Sequence, residues 1–289
     1  MTLESYASFL RILGIRSIAA GDLLWVSVGA GFYQAFPVHR PVVPSAWQVR
    51  QAMWKGPAVG VRFCAPTDFP LGGSSFVYLI DDRGYDLHHL SANLRSKVRR
   101  GLARCRVEPI QEPETLEVEG WPLNVETLTR QGRFRVRTAR ERWKRVAQSL
   151  GKIEGLQAWG ARVDGELASL AVTFRVQDCV NLLILRSTLQ HRWAYPNNAL
   201  VFTIVREAFA QPGVTCVSYG EESILGLDSL DVFKTGMGFE RRPVRQVLIL
   251  HPLLRWAKPL VKNRVVEATA SRYPDNLVLR KIVGAARWL

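Results

Sequence analysis

The stretch Leu156–Ser187, LQAWGARVDGELASLAVTFRVQDCVNLLILRS, decides the fold. Leu156 to Val163 and Glu166 to Val176 are β-rich runs, and Asp164-Gly165 between them supplies the positive φ angles of a tight hairpin. After a turn at Gln177-Asp178, Cys179 to Arg186 reads as a third strand. Upstream, Thr138-Ala-Arg-Glu141 has the form of a capping box, in which the Thr hydroxyl and the Glu carboxylate satisfy each other's free backbone N–H groups. Trp143, Val146, Ala147 and Leu150 follow at helical spacing, and Gly151 suits a C-terminal stop. Downstream, Leu200, Val201, Ile204, Val205 and Ala208 share one helix face in a segment that begins near Pro196-Asn197-Asn198 and ends at Gln211-Pro212-Gly213. A strand (Val214 to Tyr219), a short helix (about Leu227 to Thr235), a Gly-rich turn at Gly236-Met237-Gly238 and a strand (Val244 to Leu250) complete the order α-β-β-β-α-β-α-β. This is an α+β pattern with a mixed sheet.

Working outward, residues 1–86 read as a short helix (Glu4 to Leu13) followed mainly by strands: Leu23 to Val28, Gly31 to Phe36, Ala58 to Phe63 and Ser75 to Ile80. Leu94, Val98, Leu102 and Cys105 then recur at spacings of 4, 4 and 3, so a helix starting near Ser91 buries that stripe and turns its basic residues outward. An acidic, proline-containing stretch from Glu108 to Trp121 suggests a linker near 107–121.

The 289 residues carry 39 Lys and Arg against 25 Asp and Glu, a net charge of +14, and 47% of them are hydrophobic. This is a globular composition, long enough for one large domain or two ordinary ones. No run of 18 apolar residues occurs, and Met1 to Leu10 hold no basic residue ahead of Arg11. The expectation is therefore a cytoplasmic protein without a membrane span or secretory signal. The positive charge is local: Arg95, Lys97, Arg99, Arg100, Arg104 and Arg106 form one cluster, and the eight cations from Arg130 to Arg145, opposed by Glu141, form another. Together they supply 13 of the 14 net charges. Such clusters suit polyanions or are solvated faces. No helix-turn-helix, zinc-finger or aromatic RNA-binding pattern accompanies them, so DNA is not an expected partner.

Cys64, Cys105, Cys179 and Cys216 stand 41, 74 and 37 residues apart, and the five histidines are scattered. Four buried free thiols and no metal are expected.

The pattern over residues 138–250 resembles the GNAT (Gcn5-related) N-acyltransferase fold, in the branch of the Fem-type peptidoglycan aminoacyl ligases and their acyl-CoA-using relatives. Four matches carry the resemblance: the Ala161-Arg-Val-Asp-Gly165-Glu-Leu hairpin; Leu183 to Ser187 running into Arg192-Trp-Ala-Tyr195-Pro196; the strand ending Tyr219-Gly220-Glu221; and Phe233-Lys234-Thr-Gly-Met-Gly238-Phe239, the most specific. Leu90 to Arg100 is similar to the basic helix that Fem-type proteins place between two GNAT-like lobes. The resemblance implies a strand-rich GNAT-like lobe over 1–110 ending in that helix, a GNAT acyltransferase domain over 111–255 and a helical tail over 256–289. In that tail, Arg280, Gly284 and Arg287 share a face opposite Leu279, Ile282, Val283 and Trp288.

The resemblance further implies a site. Backbone N–H groups of the strand spanning 180–187, here including Leu185, Arg186 and Ser187, would meet the acyl carbonyl. Gln190, Arg192, Tyr195, Asn197 and Asn198 would hold the donor pyrophosphate at the following helix start, where free N–H groups and the helix dipole favour an anion. The family loop Q/R-x-x-G-x-G/A is altered here: Gln190 is kept, but Trp193 and Tyr195 stand in the place of glycines. Lys234 takes the place of the Tyr that protonates the leaving thiolate in many GNAT enzymes, and an ammonium there suits an oxyanion or leaving group. Glu221 and Glu222 are candidate bases, and Tyr219 a pocket residue. Arg95, Lys97, Arg99 and Arg100 are candidate polyanion contacts.

The function expected is acyl transfer from acyl-CoA to a small-molecule amine, on a cell-envelope or polysaccharide precursor or an amino acid. A Fem-like transferase using aminoacyl-tRNA is the alternative, and a non-catalytic adaptor for polyanions or an anionic membrane surface is a third reading. No obligate protein partner is expected.

Overall fold

The computed structural model describes residues 2–56, 58–132, 136–222, 228–257 and the positions 272 and 288. Two compact units interleave along the chain: unit 1 comprises Met1–Gly14, Leu79–Gly220 and Val232–Glu240, and unit 2 comprises Ile15–Tyr78, Glu221–Asp231 and Arg241–Leu289. The sequence-based division at 110/111 was linear, whereas the folded chain returns to unit 2 after Gly220 and again after Glu240. The helical tail expected over 256–289 lies outside the described residues, apart from Trp256 and Ala257 at the end of a 3-10 turn and the positions 272 and 288.

In unit 1, helix α1 (Leu3–Ile12) starts at Thr2, whose hydroxyl accepts the Ser5 N–H, and seats Tyr6 and Phe9 against Phe174 at centroid distances of 4.9 and 5.7 Å. The basic helix forms as expected, as α3 (Ala92–Arg104). The supposed linker is instead structured: β6 (Arg106–Ile110), α4 (Pro113–Val118) and α5 (Gly120–Arg130) occupy it. β6 pairs antiparallel with β7 (Leu156–Val163), burying Ile110 and leaving the acids of this stretch at the surface, so the charge that suggested a linker is the solvent side of packed elements. Helix α6 (Val136–Gln148) begins two residues before Thr138, so the capping box does not mark the helix start. The side chain of Thr138 lies outside the described residues, as do Arg133, Arg135 and the side chain of Arg137.

β7, β8 (Glu166–Val176) and β9 (Cys179–Ser187) form an antiparallel meander through the Asp164-Gly165 turn, where both residues have positive φ. Helix α7 (Pro196–Ala210) covers it, with Ala199, Leu200 and Ile204 packed on Trp159, Ala161, Ala168 and Ala171. β10 (Cys216–Glu221) then joins β9 in parallel. Cys179 and Cys216, expected as free thiols, are joined in a disulfide because the parallel register sets their Cα atoms 4.7 Å apart. Cys64 and Cys105 are free and buried.

In unit 2, β1 (Ser17–Ala20), β2 (Leu23–Gly29) and β3 (Phe32–Phe36) form an antiparallel run; β3 pairs parallel with β4 (Gly60–Ala65), and β4 antiparallel with β11 (Glu240–Leu250). β5 (Gly73–Ile80) follows β11 in the strand order and crosses the unit boundary at Tyr78/Leu79. Two elements had no counterpart in the sequence reading: β1, and helix α2 (Ala46–Lys55). The signal for α2 was present, since Ser45 and Gln48 form a capping box, with the Gln48 N–H donating to Ser45 Oγ and the Ser45 N–H to Gln48 Oε1. Its inner face places Ala52 and Met53 among Trp25, Tyr33, Val61 and Phe63.

Candidate active site

The parallel pairing of β9 and β10 is short. Its Cα partners are Cys179 with Cys216, Val180 with Val217 and Asn181 with Ser218, and the disulfide closes this end. Beyond Asn181, β9 continues six residues to Ser187 while no further β10 partner is in register. Residues Leu182 to Arg186 are half-buried along this free edge. β9 also carries a bulge: Val172 pairs with Ile184 and Thr173 with Leu182, leaving Leu183 as the extra residue that breaks the ladder. Backbone polar groups released from pairing are what a carbonyl substrate can use.

The C-terminal half of β9 is held from behind by α5. Thr127 Oγ1 accepts the Ser187 N–H and donates to Ser187 O, both at 3.1 Å, and Asn124 Oδ1 accepts from Arg186 Nε at 2.8 Å. Arg186 also reaches the carbonyl of Leu185 at 3.0 Å, and Leu185 packs toward the α7 core. Sequence alone does not single out Thr127 or Asn124, because both lie between the supposed linker and the helix read from Thr138, where no local pattern marks them.

The α7 start follows from one residue. Tyr195 adopts φ 58°, ψ 43°, and its carbonyl accepts the N–H groups of Asn198 and Ala199, while Pro196 at the first position has none to offer. The expected donor-binding residues part company here. Asn197 is anchored, with Ser169 Oγ at 2.6 Å from its Oδ1 and its Nδ2 donating to Ser187 Oγ at 3.2 Å. Asn198 is buried and donates to Met237 Sδ at 3.6 Å. Gln190 and Arg192 are exposed, with Gln190 Nε2 at 3.5 Å from Glu166 Oε2. A residue not foreseen, His191, pairs with the same carboxylate at 2.8 Å and pins the loop to the start of β8.

Helix α3 lies across this start at backbone contact. A Cβ built on Gly101 would stand 2.9 Å from Tyr195 O and 3.0 Å from Ala199 Cβ. This approach brings the Arg100 guanidinium to 6.0 Å from the Tyr195 ring centroid and that of Arg104 to 5.4 Å from Trp193, whose carbonyl accepts from Arg104 Nη1 at 3.1 Å. Arg99 and Arg100 are exposed; Arg95 and Lys97 are half-buried, with Arg95 Nη2 donating to Leu90 O at 3.3 Å. Gly101→Ala is expected to destabilise the protein by about 1–3 kcal/mol, the cost of overpacking, where a solvent-facing helix position would gain about 1 kcal/mol from the same change. Urea denaturation measures it, and a gain would mean that α3 stands off from α7.

The Phe233–Phe239 motif has a structural cause. Helix α8 (Asp228–Gly236) ends in a Schellman motif: the Phe239 N–H donates to Lys234 O and the Gly238 N–H to Thr235 O, with Gly238 at φ +87°. A Cβ at Gly238 would also press on Tyr85 Cε2 at 3.0 Å, and Tyr85, itself buried, donates to Met237 O at 2.8 Å. Phe239 packs edge-on against Tyr219 at 5.2 Å, and the Lys234 ammonium stands 5.3 Å from the Tyr219 ring centroid. Lys234 is only 3% exposed. Burial of so strongly hydrated a cation is costly, which marks it as more than a solubilising surface lysine. Burial also pushes the Tyr219 hydroxyl pKa up. Lys234 and Tyr219, predicted separately, are thus brought together.

Glu221 and Glu222 belong to unit 2. Glu221 sits in a closed polar cluster: Arg62 Nη2 donates to Oε2 at 3.0 Å, Gln246 Nε2 and Cys64 Sγ reach Oε1 at 2.8 and 3.2 Å, and Gln34 Nε2 donates to Oε1 as well. Burial alone raises this carboxyl's pKa, but the Arg62 charge and the hydrogen bonds outweigh it and hold the pKa below the usual range. A carboxylate so stabilised is a poor proton acceptor, which removes the reason for assigning it as a base. Glu222 accepts from Ser75 Oγ at 2.9 Å.

No protein-family model matches the sequence, and no curated protein matches it either. Solved structures do. FemX superposes with a TM-score of 0.58 at 13% identity, covering 87% of this chain and 92% of that one. The C-terminal domain of a protein described as a lysylphosphatidylglycerol synthetase from Agrobacterium fabrum gives 0.57 at 14% identity, covering 84% and 86%. L-PGS from Bacillus licheniformis gives 0.52 at 14%, covering 84% and 90%. The fold is the mixed α+β GNAT fold that these structures share. At these identities the likeness is one of fold. Among the described residues, no helix is long and apolar enough to cross a membrane.

Proposed function

We propose that the protein is an N-acyltransferase that moves an acyl group from acyl-CoA to an amine acceptor at the parted end of β9 and β10. The observation that carries this reading is the buried Lys234 ammonium beside Tyr219, in the unit whose parallel strand pair stops after three residues. The acyl carbonyl lies along the free edge of β9 near the Leu183 bulge, where backbone N–H groups stabilise the oxyanion; one such donor is worth about 3–4 kcal/mol. The attacking amine, with an ordinary pKa near 10, is about one part in a thousand neutral at pH 7, so its desolvation on entry contributes to the reaction. The neutral amine forms the C–N bond, and as the tetrahedral intermediate collapses the C–S bond breaks, the proton shed by the nitrogen passes to the departing thiolate, and Lys234 supplies positive charge to that sulfur until it is protonated.

A thermal-shift panel of acyl-CoAs tests the donor. A true donor at a hundredfold excess over its dissociation constant adds about 2.7 kcal/mol of apparent stability, a rise of about 5 °C for a chain of this size; no shift with any acyl-CoA removes the thioester.

One observation favours a second donor, an aminoacyl ester of tRNA. Arg100 and Arg104 stand at the rings of Tyr195 and Trp193, beside the helix start where close backbone approach would serve a pyrophosphate. FemX and the lysylphosphatidylglycerol synthetase domain, the likenesses with TM-scores of 0.58 and 0.57, lend it weight. On this reading tRNA binding weakens steeply with salt, and Arg99→Glu/Arg100→Glu lowers the slope of log Kd against log salt by about 2. Binding indifferent to those charges rejects tRNA.

A further inference from the structure

Unit 2 exposes an aromatic face that the proposed chemistry does not use. On α2, Trp47 and Trp54 are seven residues apart, so their side chains lie within about 20° of each other on the helix surface. They face away from the buried Ala52 and Met53 and are 50% and 63% exposed. Val43, three residues before the start of α2, is 61% exposed, and Leu253 is 71% exposed. Leu253 is held near Trp54 through His251, whose ring meets Trp54 at 4.8 Å and whose Nδ1 accepts the Leu253 N–H at 3.3 Å. The His251 N–H is bonded in turn to Val59 O at 2.8 Å, so the 3-10 turn that presents Leu253 is anchored.

The charge on α2 itself has one sign: Arg50, between the tryptophans, and Lys55 are exposed, and the helix holds no Asp or Glu. One carboxylate reaches the helix from outside it, the exposed Asp22, whose Oδ1 accepts from Gln48 Nε2 at 2.9 Å. We propose that this face docks unit 2 on the interface of an anionic lipid bilayer, with Trp47 and Trp54 at headgroup depth, Val43 and Leu253 toward the acyl chains, and Arg50 and Lys55 on lipid phosphates. Tryptophan is the side chain best suited to that depth, with an apolar body and one N–H for the wet side. Cations beside it add attraction to anionic headgroups, and the two cations of α2 outnumber the one carboxylate held at Gln48. Val43 and Leu253 gain from hydrocarbon and offer nothing to a nucleic acid base. The inference stands apart from the acyl-transfer reading and does not depend on it.

Sedimentation of the full chain with phosphatidylcholine vesicles, with and without phosphatidylglycerol, tests this docking. The wild type is expected to sediment with phosphatidylglycerol vesicles, and Trp47→Ala/Trp54→Ala to lose about tenfold or more in affinity. Its melting temperature should be unchanged, because neither ring is in the core. Arg50→Glu/Lys55→Glu is expected to abolish the preference for phosphatidylglycerol, while Arg99→Glu/Arg100→Glu on α3 leaves it in place. The proposal is overturned if the wild type stays in the supernatant with both vesicle types, or if the double Trp variant sediments like the wild type. It also fails if the preference follows the α3 charges, or if the tryptophans govern only self-association or RNA binding.

Discussion

Lys234→Met is expected to lower kcat for acyl transfer about 10²–10³-fold with little change in KM, the range found when one oxyanion-stabilising donor is removed. The substitution keeps the length and apolar stem of a side chain that is 3% exposed and deletes the ammonium beside Tyr219. Removing one member of a buried charged contact also costs stability, about 3–5 kcal/mol, so turnover is compared well below the variant's melting temperature on protein whose circular dichroism matches the wild type. A folded variant that has lost turnover assigns the charge to the reaction. If the folded variant keeps its turnover, Lys234 is a structural residue and acyl transfer loses its main support. Lys234→Arg separates charge from shape, since a guanidinium does not fit the space of a compact ammonium.

Arg62→Met should destabilise unit 2 by about 3–5 kcal/mol, the cost of leaving a buried charge without its partner. Arg62 is the cation of the Glu221 cluster; its Nη2 also donates to Gln34 Oε1, and its guanidinium stands 5.8 Å from the Trp288 ring centroid. The pH dependence sharpens the test. In the wild type the folded-state pKa of Glu221 is lower than the ordinary carboxylate value of 4.5. Its contribution to stability is therefore complete above that value and is lost as pH falls through the folded pKa. Without Arg62, the burial that opposes ionisation is met only by the hydrogen bonds from Gln246, Cys64 and Gln34, so the folded pKa of Glu221 should rise. Arg62→Met should then lose less stability than the wild type as pH falls from 7 to 3. Arg62→Met/Glu221→Gln should recover much of the loss, as removing both charges avoids the uncompensated one. Denaturation midpoints across pH 3–7 decide it: parallel profiles for wild type and Arg62→Met would show that Glu221 is not paired as described.

Much of this fold was legible because its signals are local. The Asp164-Gly165 turn, the alternation and length of β7 to β9, Pro196 at the helix start and the Gly238 stop each act within a few residues, and all lie where they were read. The α2 capping box at Ser45 and Gln48 is an equally local signal. The acidic stretch 108–121 reads as a linker, because the glutamates of β6 and α4 and of the residues flanking them have the composition of one.

By itself the sequence determined the order of elements from α6 to β11, the basic face of α3 and the residue types of the candidate site, since periodicity, turn chemistry and charge depend on near neighbours along the chain. Only the tertiary structure decided which residues meet. It joined Cys179 to Cys216 across 37 positions, set Thr127 on Ser187, brought Lys234 to Tyr219 and paired Glu221 with Arg62. The reason is physical: pairing partners are chosen by strand register and by the cost of burying charge, and both arise only when distant segments share one interior.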